Sequence, residues 1–235
     1  MRRNPAETKI VVQSRVGSRR LPRKALADIN GFRLIEWVLI RTKSNPKEIP
    51  VVLATTEKPE DDELVELAAK HGIESVRGSE DDLVDRFLEV SKIHKLENII
   101  RVCADNPFVS GRFIGDLHNY WLRNKLDYAY NHAPVGGLEV MDGFGAEMLS
   151  VRLLKRIDSS TPLPDLREHV TAAVWRDLVV CRKGTPTIPE EFKNSGVSLD
   201  VDSADDLIRV QRIAEQATLM PHSSDQQIAK AFQSL

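Results

Sequence analysis

Short, continuous apolar runs alternate with amphipathic stretches through the first half of this chain, and that rhythm restricts its fold more than any other feature. Ile10-Val11-Val12, Val51 to Ala54, Ile73 to Val76 and Ile99 to Cys103 read as strands. Between them, Leu34 to Arg41, Asp61 to His71 and Asp81 to Ile93 read as helices, and Ile114 to Leu122 follows as another. The third helix carries its stripe on Leu83, Val84, Phe87, Leu88 and Val90, and Gly72 stops the second. Strands without polar alternation are buried on both faces, so they predict a mainly parallel sheet covered on each side by helices. Right-handed crossovers make this a doubly wound α/β domain, expected to span residues 1–235 as one unit.

Composition supports a folded chain and removes several function classes. Hydrophobic residues make up 41% of the 235, enough for a core. No apolar run nears the roughly 20 residues of a membrane helix. The start, Arg2-Arg3-Asn4-Pro5, lacks an apolar signal core, so a cytoplasmic protein is expected. Net charge is −2, which gives no electrostatic case for nucleic-acid or membrane-surface binding. Cys103 and Cys181 form no CxxC pair and are expected to be buried free thiols.

After Lys125 the rhythm breaks. Asp127 to Tyr130 reads as an edge strand, and residues 133–145 are glycine-rich and without period. Glu147 to Ser150 reads as strand, Val151 to Asp158 as helix, and Thr161 to Pro164 as loop. Arg167 to Asp177 is expected to be helical, and Leu178 to Arg182 and Val197 to Val201 to be strands. Ser203 caps a helix running to about Ala217, and a last helix fills the tail. An irregular segment of this kind, about residues 127–196, is where an acceptor site or an oligomer contact is expected.

The stretch after the first strand, Gln13-Ser14-Arg15-Val16-Gly17-Ser18-Arg19-Arg20-Leu21-Pro22-Arg23-Lys24, holds five basic side chains, with small residues at Gly17 and Ser18. Ligands of open α/β sheets bind beyond the carboxyl ends of strands, where free N–H groups and forked guanidiniums reach anions. A polyphosphate cradle fits that composition, as does a solvated basic loop. The stretch is neither GxxxxGK[ST] nor GxGxxG.

The pattern R-x-G-S-x-R-L-P-x-K-x-L resembles the cytidylyltransferases that activate acidic sugars. The resemblance is to the spore-coat polysaccharide type first, and to acylneuraminate and 3-deoxy-manno-octulosonate cytidylyltransferases beyond it. Ala54-Thr55-Thr56, Arg77-Gly78-Ser79-Glu80-Asp81-Asp82, Asp85-Arg86, Ala104-Asp105-Asn106-Pro107, Arg167-Glu168-His169-Val170-Thr171 and Val201-Asp202-Ser203-Ala204-Asp205 follow in the same order. The resemblance favours the phosphate cradle and implies a Rossmann-related, glycosyltransferase-A-like nucleotidyltransferase that transfers CMP from CTP and releases pyrophosphate. It places Gln13, Ser14, Arg15, Gly17, Ser18, Lys24, Arg77 and Ser79 about the nucleotide, with Arg15, Lys24 and Asp105 in catalysis.

Asp105 and Asp202 both precede elements at the carboxyl edge expected of the sheet. Spacing alone also allows a turn residue and a helix cap. The resemblance makes both of them Mg²⁺ ligands, the metal completing its shell with water and phosphate oxygens. No general base stands out; His94, His118 and His132 read as ordinary histidines. The resemblance puts the acidic acceptor near Glu147, Arg167 and His169, and implies a homodimer packed through the irregular half. Three departures from the family pattern stand out. Gly145 replaces the central carboxylate of G-x-D-x-E, Arg23 the glycine of L-P-G-K, and Ala104-Asp105-Asn106 the commoner Gly-Asp-Cys. Two other functions are compatible with such a scaffold: a glycosyltransferase using a nucleotide-sugar, disfavoured by Asn106-Pro107 after Asp105, and a non-catalytic nucleotide-binding module.

Overall fold

A computed structural model of the chain describes residues 7–18, 20–132, 138–160, 164–194 and 196–233. Strand β1 (Thr8–Gln13) is central and pairs in parallel with β4 (Val51–Thr56) on one side and β6 (Asn98–Cys103) on the other. A small hairpin of β2 (Asp28–Ile29) and β3 (Phe32–Arg33) stands apart. Outward from β4 lies β5 (Glu74–Gly78). Beyond β6 come β8 (Glu147–Ser150), β7 (Tyr128–Tyr130) and β9 (Lys183–Gly184), so the seven described strands run β5-β4-β1-β6-β8-β7-β9. Helices α1 (Leu34–Lys43), α2 (Asp62–Lys70), α3 (Leu83–Ile93), α4 (Gly111–Arg123) and α5 (Val151–Ser160) connect them.

The unbroken apolar character of β1 has a direct structural cause. Ile10 and Val12 pack with Trp37 of α1 and Ile114 of α4, while Val11 packs on the other face with Phe87 of α3 and Leu154 of α5. All are buried, each stabilising the fold by about 1.5–3 kcal/mol. The chain leaves β1 toward β4 and β5 and later returns to its other side at β6. A crevice therefore opens beyond the paired ends Gln13 and Cys103, the switch point where open sheets hold ligands.

The irregular half departs from several expectations. Strand β7 is covered by β9 and is not at the edge. The expected helix over Arg167 to Asp177 is two single turns, α6 (Pro164–Arg167) and α7 (Ala172–Trp175). It breaks where the Thr171 hydroxyl turns inward to the buried Glu147 carboxylate. Leu178 to Arg182 is not a strand; only Lys183 and Gly184 join the sheet. Val197 to Val201 makes only an isolated bridge, between Asp142 and Ser198. Of the expected loop Thr161 to Pro164, residues 161–163 lie outside the described residues, as do 133–137 of the glycine-rich stretch, and Pro164 opens α6.

The C-terminal part follows the pattern read from sequence. Ser203 caps α8 (Ala204–Gln216) in a capping box with Asp206, and α9 (Asp225–Gln233) ends the described chain. Cys103 and Cys181 are free but half-buried, not fully buried. Among the described residues no helix is long and apolar enough to cross a membrane.

Candidate active site

The loop after β1 is fixed from below. Asp61, 1% exposed, accepts hydrogen bonds from the Val16 amide at 2.7 Å, the Thr55 hydroxyl at 3.0 Å and the Thr56 amide at 3.1 Å. The Ala54-Thr55-Thr56 match therefore has a mechanical role: it ties the end of β4 to the loop through one buried carboxylate. Sequence reading passed over Asp61 because it also begins a helix. Arg23 occupies a left-handed backbone conformation, φ 59°, which explains why the family pattern has glycine there. Its side chain leaves the site to meet Glu63 at 2.8 Å.

A cavity of about 480 Å³ opens beside this loop. Gln13, Ser14, Arg15, Ser18 and Lys24 line one wall; Cys103, Ala104, Asp105, Glu168 and His169 line others. Lys24 Nζ donates to the Val201 carbonyl at 2.9 Å and to Asp202 at 3.2 Å, and stands 3.6 Å from Asp105. Arg20 adds a second cation 2.8 Å from Asp202. The two aspartates are held together by backbone as well, since the Val201 amide donates to the Asp105 carbonyl at 2.9 Å. Ser203 supplies the cap of α8, which leaves the Asp202 carboxylate to the site. Arg19 lies outside the described residues.

Two further aspartates crowd this corner. Burial first, then Asp142, Asp202 and Asp105, push the Asp200 carboxyl up to about 6. Asp142 is raised as well, by burial and by Asp105 and Asp202, against the opposing charge of His132. Asp200-Val201-Asp202 thus carries two carboxylates on one loop, a D-x-D spacing missed in the sequence reading. They diverge: Asp200 accepts from the Ser198 hydroxyl, while Asp202 faces Lys24.

The structure separates the remaining expected residues. Arg77 reaches back to the Thr56 and Lys58 carbonyls and to Asp62, outside the cavity lining. Ser79 serves the turn before α3, accepting from the Asp82 amide at 3.0 Å, and Gly17 is not in the cavity lining; a Cβ there would sit 3.2 Å from Glu60 Oε1 and 3.4 Å from Glu80 Oε1. Arg167 is held by Asp82 at 2.6 Å and Asp158 at 2.7 Å, so its neighbours Glu168 and His169 line the cavity in its place. Glu147 is 2% exposed and lies beneath the site, bonded to Arg101, Tyr128, Thr171 and Trp175. Arg101 carries that network to the cavity, donating to Gln13 Oε1 at 2.8 Å and to Cys103 Sγ at 2.9 Å. Burial pushes the Cys103 thiol up to about 12, against the charge of Arg101, so it is a packed thiol rather than a nucleophile. At Gly145 a Cβ would fall 2.0 Å from the Asn131 carbonyl oxygen; no side chain fits, so the missing carboxylate of the family pattern has no room here.

The cytidylyltransferase family model matches residues 9–173. An uncharacterized protein of Methanocaldococcus jannaschii is 31% identical over 196 residues, 83% of this chain and 78% of that protein. The spore coat polysaccharide biosynthesis protein SpsF of Bacillus subtilis is 29% identical over 220 residues, 91% of this chain and 89% of that one. Among solved structures, a cytidylyltransferase from Leptospira borgpetersenii superposes with a TM-score of 0.88 at 25% identity, covering 97% of this chain and 94% of that chain.

Proposed function

The chain belongs to the cytidylyltransferase family, and from that premise we propose that it transfers CMP from CTP to the hydroxyl of an acidic sugar, with release of pyrophosphate. At the coarser level it is a nucleotidyltransferase enzyme acting on a sugar-related substrate. One observation carries the finer reading: Lys24 spans Asp105 and Asp202 at the wall of a cavity that Arg15 and Arg20 also line. A triphosphate needs such cations where charge builds on the departing pyrophosphate. Arginines in the cavity suit an acceptor that carries a carboxylate. Polysaccharide biosynthesis is the setting of the SpsF relative. The matched family also weighs against a nucleotide-sugar glycosyltransferase and against a binding module without turnover.

Mg²⁺ is proposed as the cofactor, and the donor set suits it. Asp105 and Asp202 offer only hard oxygens, brought to one corner by their shared contacts to Lys24. The rest of the metal's shell would come from water and phosphate oxygens. When bound, Mg²⁺ would polarise the phosphates and neutralise pyrophosphate. In the reaction the acceptor oxygen attacks the α-phosphorus, the bond to the β-phosphate bridging oxygen breaks, and the hydroxyl proton passes to solvent. Lys24 and Arg20 hold the phosphates, and Ser14 and Ser18 contribute hydroxyls from the loop. A homodimer is expected through the irregular half, where Leu178 and Val180 are 58% and 84% exposed, and a cytoplasmic setting suits the free thiols.

Pyrophosphate release from each NTP, with and without acidic sugars, tests the reading. Release should depend on CTP, Mg²⁺ and an acidic acceptor together; release without an acceptor, or from every NTP alike, would refute it. Asp202→Asn should keep its melting temperature, since Ser203 caps α8, while the Mg²⁺ concentration for half-maximal rate rises about tenfold or more. A normal Mg²⁺ dependence would take Asp202 out of the metal site.

A further inference from the structure

Arg86, the fourth residue of α3, is 2% exposed and lines the active-site cavity. Its Nε donates to the Ser79 carbonyl at 2.8 Å, and its Nη2 donates to the same carbonyl and to that of Glu80 at 3.1 Å. These partners are neutral. Among the described residues no carboxylate lies within ion-pair distance of Arg86, although the buried Arg41 and the largely buried Arg101 each have one. Burying a cation without a counter-charge is costly, and such groups are ordinarily paired. The backbone makes room for it: at Gly78 a Cβ would sit 3.1 Å from Arg86 Cγ.

A second guanidinium converges on the same point. Arg15 Nη1 donates to the Glu80 carbonyl at 3.0 Å, so both arginines share one oxygen. Their mutual repulsion follows burial as a reason why Arg86 is pushed down to about 10, against the more distant pull of Asp61, Glu80 and Asp81. Arg15 meets the Glu168 carboxylate at 3.0 Å and, more distantly, that of Glu80 at 4.0 Å; Glu80 is also held by Lys58, so the half-exposed Glu168 is the side chain that an incoming anion can displace. Two forked cations beside a cavity, one of them without an anion, match an oxyanion in both charge and geometry.

We propose that Arg86 and Arg15 form an oxyanion subsite of the cavity, filled by a phosphate group of the nucleotide or by the carboxylate of the acceptor. The subsite rests on the nucleotidyltransferase reading for the source of that anion. Arg86 is thereby a binding residue in its own right, and Glu168 the side chain that stands in for the ligand in its absence.

The test uses the full chain with Arg86→Lys and Arg86→Gln. Calorimetric titration with inorganic pyrophosphate is followed by steady-state kinetics varying CTP and an acidic sugar separately. Both variants should keep the wild-type melting temperature within a few degrees and lose about tenfold or more in one of these affinities, the lysine variant less than the glutamine. A weaker pyrophosphate titration with a raised KM for CTP assigns the anion to phosphate; a raised KM for the acceptor alone assigns it to the carboxylate. Pyrophosphate binding that wild type shows and the variants lose supports the subsite even if no CTP is turned over, which separates it from the functional reading. Unchanged affinities in both variants, no anion binding by wild type, or two variants that fail to fold would each overturn the proposal, the last by making Arg86 purely structural.

Discussion

Replacing Lys24 with alanine is expected to lower kcat/KM by about a hundredfold or more, the scale of removing one preorganised charge contact from a transition state. The side chain is 15% exposed and its ammonium is bonded at once to Asp202 and to the Val201 carbonyl, with Asp105 at 3.6 Å. It is therefore held in place before any nucleotide arrives, and in the proposed reaction no reorganisation would be needed as charge moves onto pyrophosphate. Lys24→Arg should recover only a small part of the loss, because a planar fork cannot replace a compact cation set between two carboxylates. Steady-state pyrophosphate release, read beside the melting temperature, gives the answer; a rate within threefold of wild type would remove Lys24 from the reaction.

The largest effect on stability is expected at Glu147, where Glu147→Gln should cost about 3–5 kcal/mol, as breaking a buried ion pair from one side does. In a chain of this length that is a fall in Tm on the order of 10 °C. Glu147 on β8 lies opposite Arg101 on β6 and collects hydrogen bonds from Arg101, the Tyr128 and Thr171 hydroxyls and the Trp175 indole. Burial alone would push its carboxyl up; Arg101, His132 and Tyr128 overcome that and hold it well below the usual carboxylate range. A depressed folded value gives stability that is present above the unfolded glutamate value and is lost as pH falls through the folded one. Acid denaturation of the wild type should therefore be steeper below about pH 4.3 than that of Glu147→Gln. Equal acid limbs in urea titrations at several pH values would show that the carboxylate is not the source.

The regular half was legible because its strands are buried on both faces and its helices carry a single apolar stripe, patterns that local sequence records directly. The Arg167 to Asp177 segment misled because its break depends on Thr171 finding a carboxylate twenty-four residues away. Val197 to Val201 has the apolar content of a strand, yet its backbone is held by two bonds to Asp142 and one to Asp105, too few for a ladder. At the site, the loop residues Gln13, Ser14, Arg15, Ser18 and Lys24 meet Asp105 and His169 about one cavity, with Asp202 joined through Lys24. Arg77, Ser79 and Arg167 share the same motifs and face elsewhere, since a motif fixes position along the chain and not the direction of a side chain. Arg86 falls within the Asp85-Arg86 family match, but its missing counter-charge is a property of three-dimensional packing that no spacing reveals.

The bond from the Val201 amide to the Asp105 carbonyl joins positions 96 residues apart, and the matched family segment ends at residue 173, before Asp202. On a ribosome, the polypeptide up to that limit holds the basic turn and one acid but not its mate. The corner where Lys24 meets both Asp105 and Asp202 is closed only when the chain beyond residue 173 has folded back, so a molecule clipped there is expected to lose the Asp202 side of that contact.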